Sequence, residues 1–538
     1  MGIGSGEGSG GDSGGCGSCD VCQTAASMAC GGCGSAHYCC KDHQRQHWPQ
    51  HRDQCPPYKL ISSPEAGKYL VASRPLPAGQ VLVEEVPLAV GPLSISALVC
   101  LGCHGSIRGN NFPRCPGCWW PLCSLECASS SRHQDECPIL ATDTKRIATP
   151  VGQQETPRYD VILTLRCLLL KTKDPKAWQI MTTMANHSEQ RQLNCEDQQI
   201  VTVRYMTEVL KLDHDQETLH QVRGAIATNG MEIRSDKNAR VRAMYPVVRL
   251  FNNSCIPNVH LSCGPGGRMQ ARTTVPVQIG EPLCISYTGA LMPLWERRET
   301  LTLTYHFSCN CARCEDPTEL GTFFSSPKCT QCKGQCEKSY LISSTWLGDT
   351  VWRCPACKME RPDADVQEDI KDWLQRIEMD DIFTGNFRRA VAAMQEVEDQ
   401  FHNQHYIWMR AAHSALYQLS DNNTEQALKM KIKMWKKLMF LYSVLEPGLT
   451  KRRGMTLLEL GIIMLRAAKL EYESGDAFMP EFLKQLREIV KYLEESTKIL
   501  NLEPEGTRGP ELAKRAHEKK AEAVEFLQRL DSATIRAE

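Results

Sequence analysis

The chain reads Asn252-Asn253-Ser254-Cys255-Ile256-Pro257-Asn258, then Gly280-Glu281, then Ile285-Ser286-Tyr287, then Cys309-Asn310-Cys311-Ala312-Arg313-Cys314. These segments decide the fold. A single cysteine in a polar, Asn-rich turn stands far upstream of a Cys-x-Cys-x2-Cys cluster. Four thiolates from two distant segments make the donor set of one tetrahedral zinc. Such an ion staples the Asn-rich turn to the segment after Tyr287. From these residues alone two readings stand. One is a purely structural zinc module with a core tyrosine at a strand end. The other is a reactive site held in place by the staple.

At 538 residues the chain exceeds what one hydrophobic core serves, so several domains are expected. A formal charge of -1 removes the electrostatic argument for nucleic acid, which calls for a strongly basic face. The most apolar run, Val161 to Leu170, is interrupted by Arg166, so no membrane span is expected. Residues Met1 to Gly15 are rich in Gly and Ser without an apolar stretch, and read as a disordered tail rather than a signal or transit peptide.

The 28 cysteines then need an explanation. Without a secretory signal a reducing compartment is expected, which disfavours disulfides. Spacing favours metal instead. Cys-x2-Cys pairs occur at Cys19/Cys22, Cys30/Cys33, Cys100/Cys103, Cys115/Cys118, Cys329/Cys332 and Cys354/Cys357. Twenty-one cysteines with His43, His51 and His133 supply 24 ligands, enough for six zinc ions. Cys16, Cys40, Cys167, Cys195, Cys263, Cys284 and Cys336 are left over.

The first module, within residues 16–58, runs Cys19-x2-Cys22, Cys30-x2-Cys33, Cys39-x3-His43, His51-x3-Cys55. Four ligand pairs suit two interleaved sites, the first pair joined to the third and the second to the fourth. Cys40 competes with His43 for its place. The second module, residues 99–140, repeats the grammar as Cys100-x2-Cys103, Cys115-x2-Cys118, Cys123-x3-Cys127, His133-x3-Cys137, with Trp119-Trp120 inside it. A third module, residues 325–362, pairs Cys329-x2-Cys332 with Cys354-x2-Cys357 as a four-Cys ribbon whose loop carries Trp346 and Trp352. Ribbons of this kind bind nucleic acid or cap a junction between domains. No basic and aromatic stripe accompanies this one, which favours the cap.

Taken in order, the Asn-Ser-Cys turn, the Gly-Glu turn, the Ile-Ser-Tyr strand end and the Cys cluster resemble the SET domain of protein lysine methyltransferases. The first module, with Tyr38 before Cys39 and Trp48 between the last pairs, resembles a MYND finger, although His43 stands where that family usually has cysteine. The combination resembles the SMYD family, and the additional N-terminal finger is similar to its arthropod SmydA branch. The resemblance implies an α+β multidomain chain: a SET-type β-fold in residues 59–98 and 225–308, interrupted by the second finger and by a helical insert, residues 141–224. A post-SET zinc segment, residues 309–320, and a TPR-like helical domain, residues 366–538, complete it. It also implies a protein N-lysine methyltransferase that uses S-adenosylmethionine, linked to regulation of gene expression and placed in cytoplasm and nucleus. Its partners are a substrate lysine and, through the fingers, Pro-containing peptides of transcriptional regulators.

Residue by residue, Tyr287 matches the family tyrosine whose hydroxyl faces the methyl group, and Tyr305 with Phe307 matches the aromatic wall of the lysine channel. Gly67, Lys68, Tyr69, Asn252, Asn253, Tyr287 and Phe307 match positions on the cofactor. Two of these depart from the family. Gly67-Lys68-Tyr69 lacks the second glycine of a Gly-x-Gly turn, and Asn253 replaces a histidine. The chemistry requires a neutral amine and collinear approach, whereas free lysine has a pKa of about 10.4. The departures keep a rival open: an adaptor or corepressor whose fingers bind peptides around a weak or inactive SET domain.

Between Gly67 and Gly91, the runs Tyr69-Leu70-Val71 and Val81-Leu82-Val83 flank a Pro77-Ala78-Gly79 turn and predict short strands. Beyond Pro362 the composition turns to Leu, Lys, Glu, Ala and Met. Helices are predicted over Val366–Arg376, Phe387–Phe401, Tyr406–Leu419, Thr424–Leu445, Thr456–Ser474, Met479–Leu500 and Gly509–Leu530, punctuated by Pro447-Gly448 and Gly454.

Overall fold

The computed structural model describes residues 18–537 apart from 32, 34–35, 65, 95, 110, 149–157, 194–196, 333–338, 344–349, 380–385 and 476–477. Residues 1–15 and Cys16, Cys195, Cys336 and Trp346 lie outside the described residues. The chain divides into two compact units, Met1–Pro77 with Pro276–Leu283, and Ala78–Val275 with Cys284–Glu538.

In the first unit, the Lys41–Gln54 helix carries His43 and His51 on one finger. Tyr58–Ser63 and Gly67–Ala72 form an antiparallel hairpin. Its free edge is covered by the Gly280 turn: Gly280 N–H donates to Ala72 O at 2.8 Å, and Leu283 N–H to Leu70 O at 2.9 Å. That edge would otherwise expose unpaired backbone groups.

The second unit opens with two small antiparallel sheets. One places Met269–Thr273 between Val259–Cys263 and Val81–Glu85, and the other places Arg240–Met244 between Ala89–Pro92 and Met231–Arg234. Behind the second sheet, Ile162–Lys173 packs so closely that a Cβ on Gly91 would meet Leu163 at 2.8 Å. The insert is helical as its periodicity predicts, but its last helix, Gln216–Asn229, runs through the expected boundary at residue 224. Ala225 and Ile226 continue its buried face, and no breaker stands before Gly230.

The C-terminal helices are Asp363–Glu378, Phe387–Gln400, Tyr406–Gln418, Glu425–Leu445, Lys451–Ser474, Met479–Leu500 and Arg508–Ala537. Seven were expected, and their ends agree within three residues except at Lys451, five residues before the expected Thr456, and Ala537, seven beyond the expected Leu530. Gly454 is a correction, because it lies inside Lys451–Ser474 rather than breaking the chain. A Cβ there would meet Leu500 at 2.9 Å, and its carbonyl accepts from Ser496 Oγ at 2.8 Å. The glycine serves close approach of two helices, not punctuation. The stripe Met434, Leu438, Leu441 and Tyr442 is core. No described helix is long and apolar enough to cross a membrane.

One buried carboxylate ties these helices to the first sheet of the unit. Glu503 Oε1 accepts from Arg272 at 2.9 Å and from Ser262 Oγ at 3.1 Å, with His260 Nε2 at 3.3 Å and Lys451 Nζ near the other oxygen at 3.6 Å. Burial alone would raise its pKa, but the His260, Arg272 and Lys451 partners overcome this and hold it down at about 2. A carboxylate depressed by folding stabilises above its unfolded pKa and loses that contribution as pH falls through the folded value. Glu503→Gln is therefore expected to destabilise the protein by about 3 kcal/mol at neutral pH. In thermal melts the gap to wild type should close between about pH 5 and pH 2. A gap independent of pH would show that the charge of Glu503 carries none of the effect.

Candidate active site

The cysteine spacings converge as quartets. Ligand atoms of Cys19, Cys22, Cys39 and His43, of Cys30, Cys33, His51 and Cys55, of Cys100, Cys103, Cys123 and Cys127, of Cys115, Cys118, His133 and Cys137, and of Cys255, Cys309, Cys311 and Cys314 lie within 4.8 Å of one another in each set. The ribbon closes too, with Cys329 Sγ 3.6 Å from Cys357 Sγ and Cys332 Sγ 3.9 Å from Cys354 Sγ. Thiolate-rich tetrahedral sets with no open position fit structural zinc. No disulfide joins any two of the described cysteines. His43 takes its place through Nδ1, 3.1 Å from Cys39 Sγ, and Cys40 stays outside the quartet. Trp352 is buried, its Nε1 donating to Asp363 at 2.8 Å, which makes it a core residue of the ribbon rather than a stacking surface.

The second finger is wired into the sheet beside it. His133 presents Nε2 to Cys118 Sγ at 3.4 Å and donates from Nδ1 to Glu136 at 3.1 Å. A buried partner of this kind fixes the tautomer of a metal-ligating imidazole. Glu136 in turn accepts two bonds of 2.7 Å from Arg166, which also donates to Val90 O at 2.6 Å and Leu101 O at 2.8 Å. Burial and the neighbouring guanidinium push His104 down to about 2, so it is neutral and accepts from Arg166 at 2.6 Å. Arg166, which on the sequence only interrupts an apolar run, is the bolt between finger and sheet.

The Asn252 turn forms a short parallel ladder with Cys284–Ile285. This places Asn253 against Tyr287: its Oδ1 accepts from the Tyr287 N–H at 3.0 Å, while its Nδ2 donates to Cys309 Sγ at 3.5 Å. The amide is thus committed to joining turn, strand end and quartet. Tyr287 stacks obliquely on Tyr305, centroids 4.8 Å apart, and meets Phe307 edge-on at 6.4 Å. Its hydroxyl donates to Phe251 O at 2.8 Å. Burial, reinforced by Tyr305, raises the Tyr287 pKa far above its ordinary value, and burial raises Tyr305 as well. Both phenols are protonated at neutral pH and act as hydroxyls, not phenolates.

Beneath the aromatics, Cys255, Leu294, Leu301, Cys309 and Cys314 form one buried cluster against Tyr287 and Tyr305. Arg297 donates to Cys314 Sγ at 3.7 Å, Arg313 to Cys255 O at 3.4 Å, and both pair with the buried Glu319 at 2.9 Å. Two buried cations for one carboxylate leave positive charge facing the thiolates, as a four-cysteine zinc site of net charge about -2 requires. Arg313 was visible only as the residue between two ligands. Arg297 and Glu319 carried no sequence signal.

Gly67, Lys68 and Tyr69 begin the second strand of the hairpin in the first unit, and Asn252, Asn253, Tyr287, Tyr305 and Phe307 belong to the second. Gly67 has φ +63°, and a Cβ there would meet nothing within 4 Å. Conformation therefore demands glycine at that position, and the space above it is open.

Comparison with known proteins agrees with this arrangement. The MYND finger family matches residues 19–55 and the SET domain family residues 67–288. The SET domain-containing protein SmydA-8, isoform B, of Drosophila melanogaster is 30% identical over 327 residues, covering 58% of this chain and 69% of the relative. The N-lysine methyltransferase SMYD2 of Gallus gallus is 25% identical over 272 residues, 47% of this chain and 59% of the relative. The histone-lysine N-methyltransferase ASHR1 of Arabidopsis thaliana is 22% identical over 284 residues, 49% and 56% respectively.

Proposed function

The chain belongs to the SMYD family of SET and MYND domain proteins, and on that premise we propose that it is an S-adenosylmethionine-dependent protein lysine N-methyltransferase. The observation that carries this is the Tyr287, Tyr305 and Phe307 wall seated on a four-cysteine quartet. When bound, S-adenosylmethionine supplies the electrophilic methyl group and a positive charge. By family position Asn252, Asn253, Tyr287 and Phe307 are among the residues that would hold it. The open space above Gly67 suits close approach of a ligand to backbone.

The protein's own groups define the rest. Tyr287 spends its proton on Phe251 O, which leaves its oxygen lone pairs to accept a hydrogen bond from the substrate amine and orient it. A phenol kept protonated by burial is not the base that takes the amine proton. That proton leaves to solvent before transfer, so turnover rises with pH toward the lysine pKa of about 10.4. In the same reading residues 309–320 are the post-SET segment, the C-terminal helices are TPR-like, and the activity is linked to regulation of gene expression, in cytoplasm and nucleus.

The adaptor reading has an observation of its own. The first finger carries a shallow cavity lined by Cys30, Gly31, Gln44, Arg45 and the half-exposed Trp48, the kind of aromatic-floored surface that takes extended Pro-containing peptides. Titration calorimetry with S-adenosylmethionine, followed by methyl transfer to a lysine peptide library, separates the readings. Saturable binding with transfer is expected. Neither binding nor transfer would reduce the SET domain to a scaffold for the fingers.

A further inference from the structure

Between the helical insert and the second sheet lies a cavity of about 200 Å³ lined chiefly by Leu93, Tyr159, Leu163, Ile226, Arg223 and Arg242. Since liquid water occupies roughly 30 Å³ per molecule, there is room for a carboxylate side chain. Asp160 also lines it, but its carboxylate is taken by Arg158 at 3.2 Å and by the Thr202 hydroxyl. Arg242 has no salt-bridge partner among the described residues, and its buried Nε has no acceptor. The acid opposite it in the sheet, Glu232, instead makes two bonds to Arg240, at 2.5 and 2.8 Å. The Arg242 stem is laid over Gly230, where a Cβ would meet its Cδ at 2.7 Å. Only glycine at 230 permits this path, so the guanidinium is aimed by the fold.

The cavity adjoins the proposed lysine channel. Ile226 and Ala227 belong to the last turn of the Gln216–Asn229 helix, and the next residue, Thr228, is joined through Arg191 to Thr304 O, beside Tyr305 (3.4 and 2.5 Å). The charge of Arg242 is felt by the Tyr305 hydroxyl. A half-buried arginine whose buried Nε has no acceptor, at the edge of an apolar cavity, is suited to a planar carboxylate.

We propose that this cavity is a specificity subsite that receives an aspartate or glutamate side chain of the substrate segment, close in sequence to the target lysine, with Arg242 as the recognising cation. The proposal rests on the methyltransferase reading for its placement beside the channel, but the subsite itself can be read by binding. Peptides with one lysine in a Gly/Ser/Ala background, fluorescein-labelled, would carry glutamate at each position from four before to four after the lysine, each with a glutamine twin. On wild-type protein one or two glutamate positions should bind about tenfold more tightly than their twins, as expected for a charge-assisted hydrogen bond. Transfer to the same peptides should show the preference in KM rather than kcat. Arg242→Gln should abolish the preference, and Arg242→Glu should reverse it, so that the glutamine twin binds more tightly than the glutamate, with the zinc content of wild type retained as the measure of folding. Glutamate and glutamine twins that bind alike at every position, or a preference that survives Arg242→Glu, would overturn the subsite. Discrimination without methyl transfer would keep the subsite and overturn the enzyme. Transfer without discrimination would do the reverse.

Discussion

Cys311→Ser is expected to lower the zinc content seen by native mass spectrometry from six ions to five and to loosen the Tyr305 to Phe307 wall. Serine offers a neutral hydroxyl where a thiolate is required, so the quartet of Cys255, Cys309, Cys311 and Cys314 cannot close. Structural zinc sites contribute about 10–16 kcal/mol of apparent binding free energy. A folded domain is stable by only about 5–15 kcal/mol. The loss also spreads beyond the quartet. Arg297 and Arg313, fully buried with one shared carboxylate, would face neutral thiols in place of anionic ones. Breaking a buried charge balance is expensive in its own right. The melting temperature should fall by roughly ten degrees or more, and S-adenosylmethionine binding should weaken with it. An unchanged ion count and melting temperature would refute the quartet.

The quartet matters for function through Asn253. Its amide touches both Cys309 Sγ and the Tyr287 N–H, so zinc, turn and strand end are one rigid piece. In the fold the Asn253 amide braces the strand end to the quartet. Activity in spite of the substitution is consistent with that role, whereas Asn253→Ala should lose both bonds.

Metal grammar was the most legible part of the sequence, because a Cys-x2-Cys pair puts two ligands at one turn whatever the fold around it. The C-terminal helices were nearly as legible, since 3.6-residue periodicity and few glycines leave little choice. Gly454 was misread for a physical reason: glycine as a breaker and glycine as a close-packing position look alike until the neighbouring helix is present. The boundary expected at residue 224 falls inside the Gln216–Asn229 helix, because burial of Ala225 and Ile226 continues it past any local signal. Arg166 with Glu136, Arg297 with Arg313 and Glu319, and Arg242 against Gly230 escaped notice altogether. None of these pairings follows a local spacing rule, and a charge that ends up buried carries no local mark.

Tyr287→Phe is expected to lower turnover by an order of magnitude or more while leaving the fold in place. The substitution keeps the ring and its contacts with Tyr305 and Phe307, and removes only the hydroxyl. Phe251 O loses a donor, which costs about 1 kcal/mol or slightly more in stability. That is too little to unfold the site, so melting temperature and zinc content serve as controls. The hydroxyl oxygen is also the group proposed to orient the amine, and removing an orienting contact falls on kcat more than on KM. Because burial keeps the phenol protonated, its removal should leave the pH dependence of the residual rate unaltered: both proteins should speed up with rising pH as the substrate lysine loses its proton. A tyrosinate acting as base would behave differently, and its loss would erase a limb of the profile. If Tyr287→Phe proved silent while Cys30→Ser or Cys115→Ser abolished capture of a Pro-containing peptide, the aromatic wall would be core packing and the fingers would carry the function.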